Sequence, residues 1–270
     1  MIKQTLKINN FKKMNPLKTK FYQTLLLLFF VLIFISCATR KDVVYFQDAT
    51  NFETIVSKNQ HTNKFKVDDV LNIHVSTLDP QASLPFNLYK GLQESGMRPE
   101  QVDYIIDKNG EIDFPVVGKI KLVGLSPEET KILLTKKLKD FLKDPIINIR
   151  IQNFTVTVLG EVNRPGTYPV NGEQITVLEA IGLANDLKIK GKRNNVMVIR
   201  DFDGTKVYTR IDLTKKEALN SPVYYLTQND VVYVEPNNSA IKTSTLDNRA
   251  SIYLSVFSLL VTSTILILTR

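Results

Sequence analysis

The chain has 270 residues, 43% hydrophobic and 23% charged, which is enough apolar material for one or two ordinary cores. Its formal net charge of +8 points to nucleic acid only until the charge is located: Lys3, Lys7, Lys12, Lys13, Lys18 and Lys20 lie among residues 1–36 with no acidic residue, which leaves +2 from residue 37 onward. A lone cysteine excludes an internal disulfide framework and any Cys-rich metal site.

The basic start leads into an apolar run from Leu25 to Ile35, closed by the small Ser36 and then Cys37. A basic region, a short hydrophobic region and a small residue before a boundary make residues 1–36 a secretory leader; the run is too short for a membrane-spanning helix. Phe34-Ile35-Ser36-Cys37 resembles a bacterial lipobox, with Phe34 where leucine is usual. That resemblance makes Cys37 the lipid-attachment residue and the first residue of the mature chain. Acyl chains contribute about 0.8 kcal/mol per buried methylene, so two or more hold a domain stably on a membrane. Met14 is a second candidate start, since the leader from Met14 is already complete.

Residues 37–63 are polar with short apolar pieces and read as a tether with little structure of its own. A first module, residues 64–152, opens on Phe65-Lys-Val-Asp-Asp-Val-Leu-Asn-Ile-His-Val75, a turn entering a half-buried strand. Leu78 to Gln101, with Pro80, Pro85, Pro99, Gly91 and Gly96, reads as a long loop or an insertion. Tyr104 to Phe114 reads as two strands around the Asn109-Gly110 turn. Pro115 to Gly124 adds a short strand bounded by Gly118 and Gly124. Ser126-Pro127-Glu128-Glu129 predicts a helix with a capping box, its apolar face made of Leu134, Leu138, Phe141 and Leu142, ended by Pro145. Ile147, Ile149 and Ile151 then alternate with polar residues as a strand with one buried face.

A second module, residues 153–236, begins with the strand Phe154 to Gly160 and turns at Arg164-Pro165-Gly166. Thr176-Val-Leu-Glu179 caps another helix, Asp203-Gly204 joins two strands, and Val231 to Val234 is the last. The fold class is therefore α+β: two small modules in series, each a few strands with one covering helix.

Asp107 to Ser126, with the Phe65 stretch before it and Pro145 to Ile151 after it, is similar to the export domain of the polysaccharide biosynthesis/export family, the Wza-like outer-membrane lipoproteins. Gly160-Glu-Val-Asn-Arg-Pro-Gly-Thr-Tyr168 followed by Ile175 to Ala180 resembles the soluble-ligand-binding β-grasp (SLBB) domain of the same family, here in a single copy. The resemblance implies a ring of copies, octameric in the prototype, forming a porin-like channel for capsular or extracellular polysaccharide. It also implies an inner-membrane polysaccharide co-polymerase with tyrosine autokinase function as partner, and a place in the bacterial outer membrane with the bulk in the periplasm. The competing expectation is a periplasmic glycan-binding or structural adaptor lipoprotein that forms no pore.

After a linker, residues 237–250, Ala250 to Thr269 carries no charge and Arg249 and Arg270 stand at its borders, so residues 251–270 predict a membrane-spanning helix about 30 Å long. Ser251, Ser255, Ser258 and Thr262 form a stripe of small hydroxyl residues suited to close helix contact, with Val256, Leu260 and Ile267 opposite. No catalytic constellation, metal set or cofactor motif emerges. His61 and His74 have no ligand partners, Asp68, Asp69, Asp107, Asp113, Asp203 and Asp230 sit at turns or strand ends, and no phosphate-binding glycine loop occurs. The expectation is a protein without enzymatic activity or cofactor, in contact with lipid and polysaccharide and not with nucleic acid.

Overall fold

Alternation at the start of the first module produces a strand, β1 (Val70–Ser76), whose Leu71, Ile73 and Val75 are fully buried while His74 faces out. The computed structural model describes residues 43–55, 62–90, 100–202, 204–245 and 249–269. The predicted loop after β1 holds more order than its prolines suggest. Asp79 caps a single helical turn, α1 (Pro80–Ser83), a 3-10 turn follows, and β2 (Tyr89–Lys90) pairs with β3 (Glu100–Gln101). Buried Asn87 accepts from Val75 N and donates to Val75 O, both at 2.8 Å, and so fastens this segment to the end of β1.

The Asn109-Gly110 turn forms, with Gly110 at φ +80 and the Asp107 carboxylate accepting from the amides of Asn109 and Glu111. Its flanking strands do not pair with each other, which corrects the hairpin expected there. β4 (Tyr104–Ile105) joins β1, whereas β5 (Glu111–Phe114) turns through Pro115 to Val117 and pairs with β6 (Gly118–Lys121). The turn is drawn toward the following chain: Leu122 and Val123 donate to Gly110 O, and a Cβ on Gly110 would lie 2.2 Å from Val123 Cγ1.

The capped helix is α2 (Pro127–Leu138), with both halves of the Ser126–Glu129 capping box present. It stops four residues before Leu142, so Phe141 leaves the helical period. Phe141 is 56% exposed rather than on the buried face, while Leu134, Leu138 and Leu142 are in the core. β7 (Ile146–Ile151) pairs antiparallel with β1 and completes the sheet order β4-β1-β7, with Ile73 opposite Ile149.

The second module has its own core. It contains β8 (Thr155–Gly160), β9 (Gly166–Pro169), β10 (Ile175–Thr176), α3 (Val177–Leu183), β11 (Gly191–Phe202), β12 (Thr205–Ile211), β13 (Tyr225–Leu226) and β14 (Val231–Pro236). The main sheet runs β12-β11-β14-β8-β9, with β14 parallel to β8 and the other pairs antiparallel. Thr176 and Glu179 form the second capping box, and Val177, Ala180 and Ile181 of α3 pack onto the inner sheet face with Val156, Val158, Val196, Val198, Val232 and Val234. The protein is mixed α and β with two modules, as the pattern of strands and single capped helices predicts.

The segment read as a linker is itself helical in part: α4 (Asn238–Thr245) is opened by Asn237, which accepts from Ala240 N at 2.9 Å. The last helix, α5 (Arg249–Thr269), has 21 residues, a length of about 31 Å. Among the described residues, however, no helix is long and apolar enough to cross a membrane, which corrects the predicted membrane-spanning helix. Length is present and residues 250–269 carry no charge, with Ser255, Ser258, Thr262, Ser263 and Thr264 spaced among the apolar residues. Three of these hydroxyls turn back on the helix, Ser258 to Ser255 O, Thr262 to Ser258 O and Thr264 to Leu260 O.

Candidate functional site

The motif turns form two groups, one in each module. In the first, Gly110, Gly118 and Gly124 all have positive φ, and Val116 at the tip of the β5–β6 hairpin has φ +66, a costly conformation for a β-branched residue, while 58% exposed. Gly124 N donates to Phe65 O and Phe65 N to Leu125 O, both at 2.9 Å, so these turns are tied to the module's opening residues. In the second, Gly160 has φ +91 and its Cα faces Val234 O so closely that a Cβ would sit 2.1 Å from it. Pro165-Gly166 starts β9, and the Tyr168 hydroxyl donates to Arg164 O across this turn. Cys37, the leader and His61 lie outside the described residues, as do the side chains of Ser251 and Ile267. The described side chains of α5, including Ser255, Val256, Ser258, Leu260 and Thr262, are all exposed.

Within the segment read as a tether, the described residues 43–55 form a strap on the second module. Phe46 N donates to Leu213 O and Gln47 N to Thr214 O, extending the line of β12 past its end. Tyr45 and Phe46 pack against the second core. The Tyr45 ring lies over the guanidinium of Arg193, 5.2 Å from its Cζ, and the Tyr45 hydroxyl donates to Asp186. Burial, then the Asp186 carboxylate, pushes the phenol's pKa well up, so it stays a neutral donor. Arg193 itself is buried, and its other contacts are the carbonyls of Leu187, Lys188 and Gly191. Further along, Lys216 N donates to Asp48 and the Lys216 ammonium pairs with Glu53. The Lys216 contact, first, and the Thr50 backbone and hydroxyl hold Glu53 down at about 2. Beyond the strap, Asn63 donates to Glu173 O at 2.6 Å and Lys66 Nζ reaches Asp201 O and Gln228 O at 3.4 Å, tying the start of the first module to the second. The sequence signal was present: Val43-Val-Tyr-Phe46 is an apolar tetrad inside a polar stretch.

The titratable side chains serve the backbone or each other. Asp230 is fully buried and takes Arg200 Nη2 at 2.7 Å, Arg200 Nε at 3.1 Å, and the amide and hydroxyl of Thr227. Sequence reading placed Asp230 at a strand end but missed Arg200, because the pair joins residues 30 apart. Asp69, also buried, accepts from Lys66 N at 2.8 Å, and burial raises its pKa to about 6. Among the described residues no group of three or more His, Cys, Asp or Glu side chains could hold a metal ion. A shallow depression beside α3, lined by Pro169, Asn171, Gln174, Ile175, Glu179 and Leu183, has its carboxylate committed to the helix cap.

Compared with known proteins, residues 57–152 match the polysaccharide biosynthesis/export protein family and residues 155–234 match the SLBB domain. The chain is 25% identical over 146 residues to the EPS I polysaccharide export outer membrane protein EpsA of Ralstonia solanacearum, covering 53% of this chain and 38% of that protein. It is 24% identical over 176 residues to the protein of the same name from Ralstonia nicotianae, covering 62% of this chain and 45% of that one. The chain thus matches less than half the length of these relatives.

Proposed function

The chain belongs to the polysaccharide biosynthesis/export family, with an SLBB domain behind its export domain, and from that membership we propose that it is a non-enzymatic, lipid-anchored subunit of an assembly that exports capsular or extracellular polysaccharide at the bacterial outer membrane. The observation that carries the reading is order: a leader-like sequence over residues 1–36 before Cys37, then the export domain, then the SLBB domain, in a chain distantly related to proteins named for polysaccharide export in the outer membrane. One chain of this size cannot enclose a passage for a polymer, so the reading requires several copies around an axis. Its partners are further copies of itself, the polysaccharide in transit, lipid, and an inner-membrane co-polymerase that delivers the polymer. The bulk of the chain stands in the periplasm, with the acyl group on Cys37 as its hold on the bilayer. The reading does not rest on a membrane crossing by α5.

The test is Cys37→Ser expressed in place of the wild-type chain, with labelled fatty acid incorporation, membrane fractionation and surface polysaccharide measured together. Label on the wild type alone, with loss of outer-membrane association and of surface polysaccharide in the variant, is expected. Unlabelled wild-type protein, or unchanged surface polysaccharide in the variant, rejects it. Sedimentation of the detergent-extracted wild type as a single copy rejects the multi-copy conduit.

A further inference from the structure

The five-stranded sheet of the second module has one face in its core and one face uncovered. On the uncovered face Tyr208 of β12 stands opposite Ile199 of β11, and Met197 of β11 opposite Tyr233 of β14, which in turn is level with Leu159 of β8. None of these five side chains belongs to either hydrophobic core. Tyr208 is 63% exposed and Leu159 41%. The Tyr233 ring reaches sideways over Gly160, where a Cβ would come within 3.1 Å of its Cε2, so the ring lies along the sheet and not upright from it. The two tyrosines are two strands and two residues apart, a separation of about 12 Å at ordinary sheet spacings.

Charge is confined to the rims and largely cancels there. At one end Lys206 pairs with Asp201; at the other Arg210 and Lys192 share Glu235, which also accepts from Asn195. Between them, Thr157 and Thr167 add hydroxyls on the same face. A strongly anionic polymer or lipid headgroup finds no free cation in the middle of this patch. The apolar middle covers four strands and two residue rows, about 14 Å by 10 Å. Tyrosine rings with an aliphatic floor and hydroxyl neighbours suit instead the alternating C–H and O–H surface of an uncharged sugar chain, whose C–H faces stack on aromatic rings.

We propose that this sheet face, with Tyr208 and Tyr233 as its stacking rings, is a weak contact surface for a neutral stretch of polysaccharide. The proposal rests on the export reading for its ligand class and adds the place and the charge type. Weak contact fits transport, because a polymer held tightly at each subunit could not advance.

The test is affinity electrophoresis of the detergent-solubilised full chain through native gels containing a neutral polysaccharide (hydroxyethyl cellulose or galactomannan) or an anionic one (polygalacturonate). The wild type should be retarded by at least one neutral gel and not by polygalacturonate. Tyr208→Ala with Tyr233→Ala should weaken the retardation about tenfold, as expected for the loss of two ring contacts, while Tyr208→Phe retains it. Phe202→Ser, an exposed aromatic at the hairpin end, should behave as wild type and controls for folding and general stickiness. No retardation of the wild type by either neutral gel overturns the proposal, as does equal retardation of the double alanine variant. A change of oligomeric state in that variant, with sugar retardation intact, also overturns it and makes the face a contact between copies. The assay involves no transport, so its failure rejects the sugar surface and leaves the export reading to the Cys37 experiment.

Discussion

Replacing Tyr45 by alanine should release the strap without unfolding the module it lies on. Three contributions are lost: a ring stacked on a desolvated guanidinium, worth about 1–2 kcal/mol; a hydroxyl bonded to Asp186, worth about 1 kcal/mol; and the cover over Arg193, which is buried with no carboxylate partner of its own among the described contacts. Against these stands the entropy regained by the freed segment, so a net cost of about 2–3 kcal/mol for strap docking is expected. The amides of Phe46 and Gln47 report it directly, because each donates to a carbonyl of the second module. Their hydrogen exchange should accelerate about 30- to 150-fold in Tyr45→Ala, with the amides of β11 and β14 unchanged. Tyr45→Phe keeps the stacking and should accelerate exchange only about fivefold, the worth of one hydrogen bond. In an Arg193→Met background the cost of Tyr45→Ala should shrink by the cation–π share. Equal costs in both backgrounds would refute the stacking argument, and unchanged exchange at Phe46 and Gln47 in Tyr45→Ala would refute the strap.

Three further outcomes follow from buried or strained groups. Asp230→Ala leaves the Arg200 guanidinium without its counter-charge and should cost about 3–5 kcal/mol in urea unfolding; Arg200→Met with Asp230→Leu should recover most of it, and a cost below about 1 kcal/mol for the single variant would contradict the buried pair. Asp69, raised to about 6 by burial, binds its proton more tightly folded than unfolded, where carboxyls of this type titrate near 3.9. Its stabilising share is therefore complete below about pH 4 and lost as pH rises through about 6; the difference between wild type and Asp69→Asn should grow by about 2–3 kcal/mol over that window, and a constant difference would show the carboxyl to be unperturbed. Val116→Gly removes a left-handed β-branched residue from an exposed turn and should raise stability by about 0.5–1 kcal/mol after glycine's own entropy cost; a lower melting temperature would show that the Val116 side chain makes a contact worth more than its strain.

Signals that act over a few residues were legible. Both capping boxes, the Gly110 and Gly204 turns with their positive φ, and the alternation of β1 and β7 are where the residues place them. What failed was assigning partners to correctly placed strands. Asn109-Gly110 fixes a reversal of direction, but which strand pairs with β5 depends on Val123 packing against Gly110, a contact that no period in the sequence expresses. Phe141 continues the apolar period of α2, yet the chain leaves the helix at Leu138, and periodicity carries no information once the helix has ended. The same blindness hid Arg200: it falls in phase with the buried Val196 and Val198, yet an arginine reads as an outward residue until Asp230 is found beside it.

The strap is the most consequential miss, and its cause is sequence distance. Tyr45, Phe46, Gln47 and Asp48 find their partners at Asp186, Arg193, Leu213, Thr214 and Lys216, with the Lys216–Asp48 contact spanning 168 residues. Closing such a loop is entropically costly and late in folding, so the docked strap requires the second module to be formed already. The segment nearest Cys37 in sequence thus belongs in space to the module farthest from it in sequence, with the first module inserted between them. A lipid on Cys37 would act on that second module through only the residues between 37 and Tyr45, and any pull on the anchor would load the Tyr45–Arg193 contact before it reached β1. On the proposed anchor, weakening that contact should therefore lengthen the stretch of chain between Cys37 and the second module without altering either core, a change that cross-linking from Cys37-proximal positions to the second module can read.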